Sequence, residues 1–288
     1  MFLYNISGLV FRLNGSLHGS VLTSMEPYKV NQTNILPDVT IDVKLCDEPL
    51  SLPDEPCISI SDRELWHVSQ DKLTYYLIFP DISGAAVCAE CNKDFSTINI
   101  CSYDVKTQLG YDDSCYLFNT LSNIMHYIAL MHGRIVFHSS SICVNGEGVA
   151  FSADSGVGKS THTSLWLENI SGVSYINDDT PIITCIDKNI MISGTPFAGT
   201  SDINNNITVP LKAIVFVTRG KENKLVQVDT LTAFSRIMSQ LKKPVTDEMT
   251  SKMIDNLSAI LKVVPCYLME CNISPEAAFE AYNAVFNK

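Results

Sequence analysis

The chain has 288 residues, 46% of them apolar, enough for one large domain or two modest ones with a real core. Its net charge of −11 argues against a nucleic-acid or anionic-membrane partner. No stretch approaches the length of a membrane span, and Met1-Phe2-Leu3-Tyr4-Asn5 lacks the basic-then-apolar pattern of a secretory signal, so a cytoplasmic protein is expected.

Residues 1–115 are expected to form a β-rich domain that recognises a substrate or partner. Val39, Ile41, Val43 and Leu45 alternate with polar residues, the period of a half-buried strand. Further strand-like runs are Phe2–Leu13, Leu73–Phe79 and Thr97–Ser102, punctuated by Pro, Asp and Gly. This part carries a charge balance of −9 and the remainder only −2. Trp66 beside His67 fits a packed aromatic next to a surface histidine. The ten cysteines fit buried thiols better than disulfides, and Cys88 and Cys91 have metal-like spacing without the second pair that a zinc site needs.

Gly110–Ser114 is a plausible join, and residues 116–288 form the second expected domain. Leu117, Leu121, Ile124, Ile128 and Met131 fall on one helical face, which Gly133 ends. Two strands follow, Arg134–Val144 and Gly148–Ser152, with Asn145-Gly146 as the hairpin signal between them. His138-Ser139-Ser140-Ser141 interrupts the first strand with polar groups. On spacing alone His138 divides evenly between a site residue and a satisfied core histidine.

The stretch Ala153-Asp154-Ser155-Gly156-Val157-Gly158-Lys159-Ser160-Thr161 lies between an apolar strand and a helix. That is the context of a phosphate-binding loop, whose backbone N–H groups and helix start converge on an anion. Lys159 can reach the outer phosphates and the Ser160 hydroxyl can ligand Mg2+. Ala153 stands where the motif has Gly; a positive φ there would cost about 1 kcal/mol. Only 19 residues beyond Lys159, the strand Val173–Asn177 runs into Asp178-Asp179, close enough for both carboxylates to reach the loop. One acid can hold Mg2+ and the other can orient or deprotonate a hydroxyl.

The remainder alternates. Thr180–Cys185 and Ile190–Ser193 are expected as a hairpin, and Gly194–Ser201 as a substrate lid with Thr195, Phe197 and Gly199 as contact residues. Strands are expected at Ala213–Thr218, Leu225–Val228 and Pro265–Glu270, and helices at Thr230–Leu241, Asp247–Leu261 and from Pro275 onward.

His138, the loop and Asp178-Asp179, in this order and spacing, resemble HPr kinase/phosphorylase and its relatives, a fold related to phosphoenolpyruvate carboxykinase. The resemblance covers about residues 134–288 and looks closest to a bacterial branch in which Ala often replaces the first loop glycine. It implies an α/β, mixed-sheet P-loop kinase domain in which Asp154, Ser155, Gly156, Val157, Gly158, Lys159, Ser160 and Thr161 bind ATP. It further implies Mg2+ on Ser160 and Asp179, and catalysis by Asp178, His138 and Lys159, leaving open which aspartate is base and which is ligand. Arg219 is the nearby candidate for steadying transferred charge. Oligomers are common in that family, which leaves a homo-oligomer open, while the sequence itself does not fix the oligomeric state. The first 115 residues do not resemble that family's N-terminal domain, so the acceptor is expected to be some hydroxyl-bearing peptide, protein or small molecule rather than HPr. A non-catalytic ATP-binding regulator and a plain ATPase stay open as alternatives.

Overall fold

A computed structural model describes the chain except residues 1, 16, 18, 32–33, 104–112, 155 and 288, and except the side chains of 113–115 and 200. The expected join at Gly110–Ser114 lies largely outside the described residues. Contacts divide the chain into Met1–His132 with Lys242–Lys252, and Gly133–Leu241 with Met253–Lys288. The helix before Gly133, expected to open the second domain, therefore counts with the first.

In the first unit Ser7 and Gly8 both take positive φ and turn β1 (Phe2–Ile6) back as β2 (Leu9–Gly15). A short helix α1 (Ser20–Met25) precedes β3 (Val39–Cys46), β4 (Ile58–Ser59), β5 (Glu64–Val68), β6 (Lys72–Ile78), β7 (Ala85–Asn92) and β8 (Thr97–Tyr103). They form one mixed sheet in the order β1-β2-β3-β8-β7-β6-β5-β4. Helix α2 (Asp113–Met131) buries Leu117, Leu121, Ile124 and Ile128, the face that its periodicity predicts. Trp66 is fully buried and packs edge-on against Tyr75 and Tyr127. Cys88 and Cys91, an odd number of residues apart on β7, point to opposite faces and cannot share a metal. The returning segment is tied in by a Lys242–Glu64 ion pair at 2.6 Å and by Tyr127, whose hydroxyl donates to the Lys243 carbonyl at 3.2 Å.

The second unit continues with β9 (Arg134–Val136), β10 (Ser140–Val144), β11 (Glu147–Ser152), α3 (Lys159–Asn169), β12 (Val173–Asn177), β13 (Ile182–Ile186), β14 (Asn189–Ser193), β15 (Thr208–Arg219) and β16 (Lys224–Gln227). Then come α4 (Thr230–Met238), α5 (Asp247–Leu261, whose first residues belong to the first unit), β17 (Cys266–Cys271) and α6 (Pro275–Phe286). The expected strand Arg134–Val144 is two strands: β9 pairs with β13, while β10 pairs with β11 and β12. The chain changes partners at the polar step His138-Ser139. Asn145 and Gly146, both at positive φ, close the β10–β11 hairpin.

Strands β11, β15 and β17 are mutually parallel. Strand β10 runs antiparallel to β11, and β12 antiparallel to β10, so β12 points the same way as the parallel trio. The carboxyl ends of β12, β11, β15 and β17 and the start of β10 therefore share one sheet edge, where open α/β sheets bind ligands. Below that edge Phe151 and Trp166 anchor a buried cluster against the α6 residues Ala277, Ala278 and Ala281. No helix among the described residues is long and apolar enough to cross a membrane.

Candidate active site

Strand β11 delivers the loop to that edge, and α3 begins at Lys159. Gly156 sits at φ +75 and Gly158 at φ +124, left-handed backbone that L side chains rarely adopt. At Gly156 an added Cβ would meet nothing within 4 Å, so the space beside that residue is open. Ala153 is not among the residues of positive φ; it lies buried in the core cluster, so replacing glycine there carries no backbone strain. Ser155 lies outside the described residues.

The loop lysine is already engaged. Lys159 Nζ donates to the Ala153 carbonyl at 3.0 Å and lies 3.0 Å from His138 Nε2. The other ring nitrogen, Nδ1, lies 3.0 Å from Asp179 Oδ1. Lysine has only donors and carboxylate only acceptors, so one neutral imidazole satisfies both: its proton on Nδ1 goes to Asp179 and its Nε2 lone pair receives Lys159. Burial lowers the Lys159 pKa, an effect opposed by Asp179, Asp178 and Asp154. Asp178 accepts the Ser140 hydroxyl at 2.5 Å, and that hydroxyl lies 3.0 Å from Thr163 on α3. Ser152 donates to the His138 carbonyl at 3.1 Å, fixing the segment that carries the imidazole.

Asn177 shapes the acid turn. Fully buried, its side-chain oxygen accepts the backbone N–H groups of Asp179 at 2.9 Å and Thr180 at 2.7 Å. Its amide donates to the carbonyls of Thr195 at 2.9 Å and Phe197 at 3.2 Å. This corrects the reading of Gly194–Ser201 as a lid. Thr195 and Phe197 have buried side chains, because the segment serves as the hydrogen-bonded floor beneath the two acids. Gly199 lies against the Asp179 carboxyl group, where an added Cβ would come within 3.2 Å of Cγ.

Arg219, at the end of β15, grips the loop itself. Its Nη2 donates to the Gly156 carbonyl at 2.5 Å and its Nε to that of Val157 at 3.2 Å. Asp154 is exposed and accepts from Gln240 Nε2 at 3.0 Å. An apolar pocket of about 310 Å3 opens beside the loop, lined by Val157, Thr161, Leu165, Val217, Cys271 and Ile273. Its inner wall includes His162, whose pKa burial pushes down to about 4. That ring is held neutral between Trp166 Nε1, which donates to its Nε2 at 3.2 Å, and the Cys271 thiol.

Sequence reasoning named His138, Lys159, Asp178 and Asp179, and the structure brings them into one network. It flagged Ser140 only as part of the polar break after His138, and it gave no role to Ser152 or Thr163, whose hydroxyls carry no signal in the sequence that sets them apart from other buried hydroxyls. The donor set suits magnesium. Ser160 is exposed at the start of α3, and Asp178 and Asp179 supply hard carboxylate oxygens. No group of three or more His, Cys, Asp or Glu that could hold a metal occurs among the described residues, so bound phosphate would have to complete such a site.

No family model matches the sequence, and no curated protein does. Among solved structures the Hpr(Ser) kinase/phosphatase from Coxiella burnetii is similar over 52% of this chain and 95% of its own, at 11% identity and a TM-score of 0.31. A likeness at that level leaves the functional reading to the geometry of the site.

Proposed function

We propose that the chain is an ATP-dependent phosphotransferase that moves the γ-phosphate to a hydroxyl, serine being the expected acceptor type. The observation that carries this reading is the unbroken path from the Ala153 carbonyl through Lys159 and His138 to Asp179, with Asp178 on the adjacent turn residue. A glycine loop open to an anion, a lysine, an imidazole and two carboxylates are the parts that positioning and charge neutralisation of a phosphoryl group require.

Bound MgATP supplies the phosphoryl group and the charge that offsets its oxygens. Residues 154–161 would cradle the phosphates, and Ser160 and Asp179 would hold the metal. The apolar pocket beside Val157 and Leu165 would take the base. Drawn to the phosphates, Lys159 releases His138 Nε2, which then faces the site with a free lone pair. Asp178, which accepts the Ser140 hydroxyl, removes or orients the acceptor proton as the new O–P bond forms and the bond from the γ-phosphorus to the departing ADP breaks.

Incubation with γ-labelled ATP and a panel of serine-containing peptides and small hydroxyl compounds tests this. Label should appear on at least one acceptor with wild type and on none with Lys159→Ala or Asp178→Asn. Hydrolysis at the same rate with and without every acceptor would make the chain an ATPase. Nucleotide binding without turnover would make it a regulator.

A further inference from the structure

The loop borders a second cleft of different chemistry. It encloses about 420 Å3, and its walls carry Asp154, Arg219, Arg236, Ser239 and Gln240. Arg236 is half-buried on α4, whose first turn is fixed by the Asp229 cap accepting Thr232 N–H at 2.8 Å. Its guanidinium lies 5.7 Å from the ring centroid of Phe216, another wall residue. Among the described residues neither Arg236 nor Arg219 forms an ion pair with a carboxylate. Two guanidinium groups and one carboxylate thus line a concave site in a protein of net charge −11. Arg219 spends its donors on the loop, whereas among the described residues the fork of Arg236 makes no hydrogen bond to protein and lies over the Phe216 ring. That is how a planar donor is kept ready for carboxylate or phosphate.

The inner wall of the cleft is Ser152-Ala153. The Ser152 hydroxyl donates to the His138 backbone carbonyl, and the Ala153 carbonyl accepts Lys159 Nζ. His138, Lys159, Asp178 and Asp179 do not themselves line the cleft, so a ligand anchored at Arg236 would have to reach them past Ser152 and Ala153. The apolar pocket on the other side of Arg219 suits a base, which leaves this cleft for the second substrate.

Resting on the phosphotransferase reading, we infer that this cleft is the acceptor site and that the acceptor is anionic: a hydroxyl compound carrying a carboxylate or phosphate, gripped by Arg236 with Gln240 beside it. Glycerol, glycerate and glycerol 3-phosphate, and serine peptides with neutral or acidic neighbours, separate the sources of the charge when offered with labelled ATP. Label should reach anionic members and pass over their neutral counterparts. Arg236→Gln should raise KM for the anionic acceptor about tenfold, the worth of a charge-assisted hydrogen bond, with KM for ATP unchanged, and Arg236→Lys should restore part of the loss. Equal use of neutral acceptors, or a rise in KM for ATP alone, overturns the assignment.

Calorimetric titration with glycerate and inorganic phosphate decides the site even if no acceptor is labelled. Binding that survives Lys159→Ala and disappears with Arg236→Gln upholds an anion site in this cleft while the kinase reading fails. Binding that depends on Lys159 alone, or no binding to wild type, overturns it.

Discussion

Lys159 is held at a desolvation cost that the nearby carboxylates of Asp179, Asp178 and Asp154 offset only in part. Its ammonium is partly desolvated and rests on a carbonyl and an imidazole, neither of which bears a full negative charge. Lys159→Met is therefore expected to abolish turnover and weaken nucleotide binding while leaving thermal stability equal or higher. A fall of several degrees in Tm would show the lysine to be structural. His162 makes the opposite case, a histidine in the motif segment whose work is in the fold. Its folded pKa, about 4, lies below the ordinary 6.5, so between those values the unfolded chain binds more protons. Its contribution is complete above pH 6.5 and is lost as pH falls toward 4, by about 3 kcal/mol. Urea midpoints measured from pH 7 to pH 4 should fall, and the same series on His162→Leu should be flatter. A parallel decline in both proteins would place the acid sensitivity elsewhere.

The acid turn after β12 is the element on which the site depends most. The Asn177 side chain satisfies two turn N–H groups and the Thr195 carbonyl, and it shares the Phe197 carbonyl with the Thr180 and Thr195 hydroxyls. Asn177→Leu should cost about 3 kcal/mol in denaturant unfolding, since it leaves several buried polar groups unpaired, and should lower kcat more than the ATP dissociation constant. A variant with wild-type kcat would show that the acids hold their positions without it. How legible each element was in the sequence follows from how local its cause is. The β11–loop–α3 unit and the acid strand could be read because glycines, lysine and carboxylates carry their geometry with them. The β10–β11 turn could be read from Asn145-Gly146, and α5 runs over Asp247–Leu261 as expected. The split of Arg134–Val144 could not, because β9 takes its partner from β13, far along the chain. For the same reason Thr195 and Phe197 looked like lid residues: glycine and hydroxyls mark a loop, but only the buried amide of Asn177 shows which way that loop faces.

At the scale of the whole molecule, the first unit is assembled from two separated stretches. The Lys242–Glu64 pair is mostly shielded from water and joins them. Removing one partner of such a pair leaves the other buried without its counter-charge, so Glu64→Ala should destabilise the first unit by about 2 kcal/mol. The Glu64→Ala/Lys242→Ala double variant should lose less than the two single losses together, as a double-mutant cycle on unfolding would read. Strict additivity would mean the two side chains do not sense each other.

Strands β1 to β8 and helix α2 leave the ribosome early, yet Val245 and Met249, both buried, come more than a hundred residues later. During synthesis the first unit must wait, incomplete, while nearly all of the loop-bearing sheet is translated. A nascent chain arrested shortly before residue 242 should therefore be far more open to protease in its first 132 residues than one arrested well beyond residue 252.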